Sequence, residues 1–252
     1  MGITGAITQH IDIAQFVLYM FWIFFAGLIY YLARENHREG YPMETDNGVN
    51  VTGWPIPEPK TYLLPHGGEI SVPNDHVSPQ KLAAEPAHRW AGAPLVPTGN
   101  PMLDGVGPGA WADRADVPDL TYDGKPKIVP LRTVATVSVS TGDTDPRGLP
   151  MVGADGVAAG TVVDLWLDTG EDLFRYLEVE LGSGSRRVLV PMNFARVKRH
   201  QVKVGAILGS QFAAVPGTRH SDTITLLEEE KIMAYYGGGT LYAEPSRAEP
   251  LL

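Results

Sequence analysis

The residues of this sequence best suited to chemistry lie in one acidic cluster. Asp164, Asp168, Glu171, Asp172 and Arg175 fall within twelve residues that cover a strand-like run and the turn after it. Neighbouring carboxylates share protons, because one negative charge raises the proton affinity of the next. Such a cluster could relay protons near neutral pH, although the spacing alone favours a solvated acidic turn.

The motifs of other catalytic chemistries are missing from the sequence. There is no G-x-S-x-G elbow, no P-loop and no G-x-G-x-x-G fingerprint between a strand and a helix. The chain has no cysteine, and its seven histidines follow no metal-binding spacing. The glycine-rich run at 182–187 joins two strand-like runs, so it predicts a turn rather than an anion cradle. We therefore expect no catalytic residue, no metal ligand and no enzyme.

Composition and charge narrow the class of protein further. The 28 glycines and 21 prolines among 252 residues favour turns and extended segments over a helical bundle. A formal net charge of -9 argues against a nucleic-acid-binding protein, which needs a basic face to displace counterions. We expect a protein partner and no nucleic acid.

One segment has the length and composition of a membrane anchor. Residues 13–33 carry no charge, and a helix of this length extends about 31 Å across a hydrocarbon core of about 30 Å. The expected anchor residues are aromatic or basic: Trp22, Tyr30, Tyr31, Arg34 and Arg38. Because basic residues follow the span and none precedes it, the positive-inside rule predicts a periplasmic N-terminus (1–12) and a cytoplasmic main domain. A cleaved signal peptide fits less well, because the start is uncharged and the apolar run is long.

The next segment, residues 34–110, is rich in proline and glycine. Its twelve prolines exclude long helices. It also carries large apolar residues such as Trp54, Trp90 and Met102, which a free linker would not need. The pattern predicts an ordered extended segment packed on partner subunits, with a partly disordered tether as the alternative.

Residues 111–252 are predicted to form a mainly β domain of barrel or sandwich type, with a short C-terminal helix. The β-rich runs are 127–131, 135–139, 160–167, 176–181, 187–190 and 201–204. Alternation in the fourth run predicts that Glu178 and Glu180 face solvent. A capping box at Thr225 should begin the helix, with residues 228–230 as a solvated acidic first turn. Glycines 237–239 are expected to end the helix, and the tail from residue 243 is expected to fray.

Nine short motifs along the chain point to one family. They are FWIFFAGLIYYL (21–32), REGYP (38–42), PKT (59–61), LPHG (64–67), PTGNPM (97–102), DGVGP (104–108), GLP (148–150), YLEVEL (176–181) and LLEEEK (226–231). In this order, behind a single anchor, they resemble the H subunit of the purple-bacterial photosynthetic reaction centre. The resemblance runs from the anchor almost to the C-terminus.

This resemblance implies a transmembrane helix followed by a cytoplasmic domain of the PRC-barrel type. Such subunits cap the cytoplasmic face of the L and M subunits, stabilise the complex and conduct protons to the secondary quinone. They hold no pigment, so bacteriochlorophyll, bacteriopheophytin, quinones, non-haem iron and carotenoid are expected on other subunits. The light-harvesting 1 antenna, a cytochrome subunit and membrane lipids are further expected partners.

The resemblance also implies roles for individual residues. The family's inner proton relay falls on Asp168, Glu171 and Arg175, and a lysine of the same relay falls on Lys127. Some members place two histidines just before that lysine, and this chain has none there. Proton entry would therefore fall to Asp119 or Asp123, or lie elsewhere.

A different class of function remains open at this point. A membrane-tethered PRC-barrel adaptor without a photosynthetic role, binding another protein through residues 40–110, would share the same architecture. It would purify without pigment. A membrane-bound hydrolase is a more distant alternative, because no nucleophile constellation is present.

Overall fold

The structure, a computed structural model, describes residues 12–45, 49–51, 53, 55–65, 67–74, 81–182, 184 and 186–248. The predicted periplasmic residues up to 11, and Trp54, lie outside these ranges. The chain divides into two compact units, Met1–Val77 and Ser78–Leu252. The division therefore falls before the predicted domain boundary at residue 110.

The first unit begins with the predicted apolar helix, α1 (Ile13–Glu35). Asp12 caps it, because its carboxylate accepts a hydrogen bond from the Gln15 amide at 2.7 Å. None of its residues is buried, and Trp22 is 56% exposed. By length and composition, this helix with the turn after it could cross a membrane.

Arg38, an expected anchor residue, contacts several groups at the end of α1. Its side chain is buried, and its Nη1 donates to the carbonyl oxygens of Glu58 at 2.7 Å and Val72 at 3.1 Å. Its Nε lies 2.9 Å from the Glu35 carboxylate, which also accepts from Lys60 at 2.6 Å. These contacts fasten the end of α1 to the segment that follows it.

The proline-rich segment folds into short antiparallel strand pairs. They are β1 (Met43–Glu44) with β2 (Asn50–Val51), β3 (Lys60–Leu63) with β4 (Glu69–Val72), and β5 (Ala84–Pro86) with β6 (Leu95–Pro97). As predicted, its described residues after Arg38 form no α-helix. Its last part, around Met102 and Gly109, is buried in the second unit.

A curled seven-stranded sheet forms the second unit, which confirms the mainly β prediction. Its strands are β7 (Ile128–Pro130), β8 (Pro150–Val152), β9 (Ala158–Asp168), β10 (Leu173–Leu181), β11 (Arg187–Pro191), β12 (Ala195–Val197) and β13 (Val202–Val204). The order is β11-β10-β9-β8-β13-β12, and β7 pairs with the end of β9. Only the β8–β13 pair is parallel among these strands. The core gathers large side chains from the sheet and the C-terminal helix: Trp166, Tyr176, Phe212, Tyr235 and Tyr236.

The predicted strand at 135–139 is wrong. These residues form a turn and irregular chain in the structure. Val137 and Val139 nevertheless pack against the core. Their apolar side chains therefore reach the interior from a segment that pairs with no strand, and alternation alone could not distinguish the two cases.

Glu178 also departs from the prediction, because it is buried rather than solvent-facing. It is 4% exposed. Its Oε2 accepts from Arg132 Nη1 at 2.6 Å and from the Trp166 indole at 3.0 Å, and its Oε1 accepts from Arg187 Nη1 at 3.0 Å. These partners compensate the desolvation of the carboxylate.

The alternation rule failed here because both faces of β10 are covered at this point. The loop at 218–221 lines the same cavity as Glu178, and Arg132 donates to the Ser221 carbonyl at 2.5 Å. Glu180, two residues further on, keeps 39% of its side chain exposed as predicted. The outer face of β10 is therefore covered at Glu178 and partly exposed at Glu180.

Helix α2 (Leu226–Tyr242) starts as predicted. The Thr225 hydroxyl accepts from the Glu228 amide at 3.1 Å, and the Glu228 carboxylate accepts from the Thr225 amide at 2.9 Å. This reciprocal pair satisfies two amides that the first helical turn leaves free.

The helix does not stop at glycines 237–239 but runs through them to Tyr242. These glycines allow close approach to other backbone. A Cβ on Gly238 would lie 3.1 Å from the Gly109 Cα, and one on Gly239 would lie 2.7 Å from the Ala206 carbonyl oxygen. Tight packing, rather than helix termination, accounts for the glycine run.

The described part of the tail, residues 243–248, is held in place rather than frayed. Ala243 is buried. Arg247 Nη1 donates to three carbonyl oxygens, those of Gly205 at 3.2 Å, Ala206 at 2.9 Å and Gly239 at 3.0 Å. One guanidinium therefore satisfies backbone acceptors from two segments.

Gly239→Ala tests the packing role of the glycine run. Helix propensity alone predicts that alanine stabilises a helix interior by about 1 kcal/mol. The close Ala206 carbonyl reverses the sign, and we expect the free energy of unfolding to fall by about 1–3 kcal/mol. Urea unfolding of the full-length protein in detergent measures it. The neighbouring exposed Thr240→Ala is the control, and stabilisation by Gly239→Ala would contradict the packing argument.

Candidate functional site

The candidate site forms where β7 pairs with the end of β9. Ile128 lies directly opposite Asp168 in this pair. Thr169 then donates to the Lys127 carbonyl through both its amide and its hydroxyl, each at 2.9 Å. The pairing therefore brings Lys127, just before β7, to the turn that follows β9.

Three carboxylates surround the ammonium of Lys127. Its Nζ lies 3.5 Å from Asp168 Oδ2, 3.5 Å from Glu171 Oε1 and 4.0 Å from Asp119 Oδ2. Partial burial opposes the charged form of the lysine, but Asp168 and Glu171 outweigh it and raise the pKa of Lys127 above its usual value. This set of four residues is called the Lys127 cluster.

The exposure of the carboxylates differs within the Lys127 cluster. The Asp168 side chain is 2% exposed and its Oδ1 accepts from the amides of Gly170 at 2.9 Å and Glu171 at 3.1 Å. Glu171 is 55% exposed and Asp119 45% exposed. One carboxylate is thus fixed inside, and two reach the surface beside the same cation.

Glu229 is a member of this acidic region that sequence reasoning missed. Its Oε2 accepts from the hydroxyl of buried Tyr176 at 2.7 Å. Burial raises the pKa of Glu229, and Asp119 and Asp168 raise it further, while Tyr176 and Arg175 act in the opposite direction. The carboxylate therefore shares the electrostatic field of the Lys127 cluster.

The other two acids at the start of α2 are partly exposed, and each has a partner. Glu228 accepts from the Arg219 amide at 2.7 Å as well as capping the helix. Glu230 lies 2.7 Å from the Arg114 guanidinium. Each acid of this run therefore has its own partner, which the sequence run alone does not indicate.

Arg175 lies outside the ion pairs of the Lys127 cluster. The regular pairing of β9 and β10 shifts between Phe174 and Tyr176, and the Arg175 side chain is exposed. Its charge lowers the pKa of Glu229, although burial leaves that pKa raised overall. Lys127, rather than Arg175, occupies the position next to Asp168 and Glu171.

Of the two candidate entry residues, Asp123 lines an opening beside the turn after β9. Asp123 is exposed on the loop after Leu120, and a bridge between Leu120 and Pro126 closes that loop. A cavity of about 630 Å³ is lined by Asp123 on one side and by Thr169 and Gly170 on the other. The loop thus borders the turn that carries Glu171.

The remaining acid of the sequence cluster, Asp164, belongs to a separate network. Its Oδ2 lies 3.0 Å from Arg132 Nη1 and it is buried. Asp172 is exposed and adopts a left-handed backbone conformation with a φ of 54° in the tight turn. In the described part of the chain, no group of histidine, aspartate or glutamate residues is arranged to hold a metal ion.

Glu229→Gln tests the effect of burial on this carboxylate. Because the folded-state pKa of Glu229 is raised, its protonation stabilises the fold at low pH. That contribution is lost as the pH rises above about 4.3 and through the raised pKa. We expect the variant to gain stability relative to the parent as the pH increases. Urea unfolding at a series of pH values measures this. Exposed Glu85→Gln should keep the parent's pH dependence, and a constant difference between Glu229→Gln and the parent would contradict the assignment.

Two family models match this chain. The model described as photosynthetic reaction centre, H-chain N-terminal region, matches residues 5–133. The PRC-barrel domain model matches residues 140–209, which contain the greater part of the curled sheet. The H-chain match covers half of the sequence and includes the loop of Asp119, Asp123 and Lys127. The chain therefore belongs to the family of photosynthetic reaction centre H chains, non-catalytic subunits that associate with the other subunits of the reaction centre.

Proposed function

We propose that this chain caps the cytoplasmic face of the L and M subunits and conducts protons toward the secondary quinone. The supporting observation is the Lys127 cluster, in which one ammonium lies within 3.5–4.0 Å of three carboxylates. The H-chain match favours this function over that of an adaptor with no photosynthetic role. The pigments, quinones and non-haem iron would belong to the other subunits.

A cap over a quinone site has to meet two opposing needs. Adding charge to a quinone in a low-dielectric site is costly unless a proton accompanies each electron. The cap must therefore exclude bulk water and still carry protons. A packed β domain with several carboxylates in one place would meet both needs, because its close-packed core leaves little room for water and its acids can carry protons.

In the proposed route, protons move from exposed to less exposed carboxylates. Asp123 or Asp119 collects the proton at the opening beside the loop. Lys127 lies within 4.0 Å of three of these carboxylates and offsets part of their negative charge. Glu171 is the inner donor and acceptor, and Asp168 is its coupled partner.

The extended segment supplies the proposed contact with partner subunits. Large apolar side chains on its hairpins face outward, including Tyr62, Leu63, Ile70, Trp90 and Leu95, of which Leu63 is 78% exposed. Exposed apolar surface of this kind is typical of an interface. With α1 as an anchor whose N-terminus is periplasmic, the segment would lie against L and M. The antenna and a cytochrome subunit would belong to the same complex.

Glu171→Gln tests the proton route. We expect slower proton-coupled transfer of the second electron, with the first charge separation nearly unchanged, because glutamine cannot carry the proton. General acid-base groups of this kind contribute about 10²–10⁴-fold where no other path exists. Flash-induced absorption changes of the complex purified from native membranes measure both steps. Asp143→Asn removes an exposed carboxylate that is not one of the partners of Lys127 and is the control. Equal second-electron rates in the variant and the parent would rule out the role of Glu171, and a colourless preparation would rule out the reaction-centre function itself.

Lys127→Gln tests the part played by the cation. Without the ammonium, the ionised forms of Asp168 and Glu171 lose a favourable neighbour at 3.5 Å. The pH profile of second-electron transfer should therefore move to higher pH. The same flash measurement across pH detects the shift. Lys125→Gln removes an exposed charge two residues away and should leave the profile in place. An unmoved profile in Lys127→Gln would contradict the proposed electrostatic control.

A further inference from the structure

The hairpin of β12 and β13 is a basic feature of a protein with a formal net charge of -9. Arg196, Lys198 and Lys203 line one groove on it. Among the described residues, no carboxylate lies within 4.0 Å of any of these three side chains. The exposed Arg199 and His200 form the hairpin turn beside them.

The strand register places these cations on one face. Arg196 lies directly opposite Lys203 in the antiparallel pair, and Lys198 follows Arg196 by two residues. Side chains two apart share a face, and like charges opposite each other destabilise a sheet. The inward face of β13 holds Val202 and Val204, both buried. The repulsion between the cations on the outer face therefore follows from the strand register, and no acid of the described chain relieves it.

The same hairpin provides an open sheet edge. β12 is the last strand in the sheet order, whereas β11 at the other end packs against α2. The Lys198 amide donates to the Gln201 carbonyl at 2.9 Å, which closes the hairpin. Hydrogen bonding alternates along an antiparallel pair, so the backbone groups of Val197 point away from β13. They are thus positioned to pair with an added strand.

A groove lies on the face of this hairpin that carries the three cations, and it gives a ligand room. Its volume is about 420 Å³, and Asn193 and Phe194 line it together with the three cations. The Phe194 ring stacks on the Tyr236 ring at a centroid distance of 5.8 Å, which fixes one wall. The groove therefore combines positive charge with a rigid aromatic wall, next to the open edge of β12.

We propose that this basic edge, defined as Arg196, Lys198, Lys203 and the outer side of β12, binds an extended acidic peptide segment of a partner protein. Carboxylates at alternate positions of an extended strand are about 6.6–6.8 Å apart, which matches the spacing of Arg196 and Lys198. Backbone pairing supplies part of the affinity, and the cations select acidic sequences. An anionic small molecule would use the charges but leave the sheet edge unpaired.

The test uses a capped, fluorescein-labelled peptide of alternating glutamate and threonine, with a glutamine-threonine peptide as its neutral counterpart. Fluorescence anisotropy with the full-length protein in detergent measures binding. We expect the acidic peptide to bind and the neutral one not to bind. Arg196→Gln combined with Lys203→Gln should weaken binding by about tenfold, since each exposed ion pair contributes up to about 1 kcal/mol.

A charge-retaining variant separates electrostatics from folding. Arg196→Lys combined with Lys203→Arg should bind the acidic peptide like the parent, and circular dichroism of both double variants checks that they fold. Equal affinity of the parent and the glutamine variant would overturn the proposal. So would complete displacement of the peptide by inorganic phosphate, which indicates a simple anion site, or binding to phosphatidylglycerol vesicles without binding to the peptide. These measurements involve no electron transfer, so they are independent of the proposed proton route.

Discussion

Strand β7 is only three residues long, and a cation at each of its ends attaches it to β9. Lys127 precedes it and lies 3.5 Å from Asp168, while Arg132 follows it and lies 3.0 Å from Asp164. Both carboxylates are buried, and a buried carboxylate without a cation costs several kcal/mol. The two ion pairs therefore neutralise the carboxylates of Asp164 and Asp168 on β9, and they fix the register of β7. The candidate site depends on this register, because the register places Lys127 beside the turn after β9.

The rest of the site is assembled from segments that are distant in sequence. An isolated bridge joins Pro118 to Thr225 and so brings the loop of Asp119 to the start of α2. Tyr176 then reaches Glu229 from β10. Proton transfer requires donor and acceptor within hydrogen-bond reach, so small displacements of these elements would interrupt a route. The close packing of the glycines of α2 on residues 102–109 and on Ala206, just after β13, holds the helix in position.

Local signals in the sequence predicted much of this architecture. The apolar helix, five of the six proposed strands and the capping box of α2 follow from composition, alternation and spacing over a few residues. The sequence cluster also contained Asp168 and Glu171, which meet at Lys127 in the structure. Lys127 itself came from resemblance to a family, because nothing in its neighbourhood marks it as the partner of an acid forty residues away.

The features that could not be predicted depend on tertiary contacts. Glu178 fits an alternating strand, and its burial follows from a loop that crosses the outer face and from two arginines. Glu229 sits in an acidic run, and only the approach of Tyr176 distinguishes it from its neighbours. The glycines of α2 resemble a helix stop signal in the sequence. In the structure they allow close approach to another backbone instead. In each case the deciding partner is far away in sequence.

Acidic and basic side chains lie in different parts of the sheet, and the distance between them explains why both groups persist. Acidic residues collect at the end of β9, whereas β12 and β13 carry unneutralised cations. Three strand spacings separate β9 from β12 in the sheet order, or about 14 Å at about 4.8 Å each. Exposed charges at this separation are screened beyond a Debye length of about 8 Å at physiological ionic strength. The basic edge therefore contributes little to the electrostatics of the Lys127 cluster, and its charge is available for a partner outside the chain.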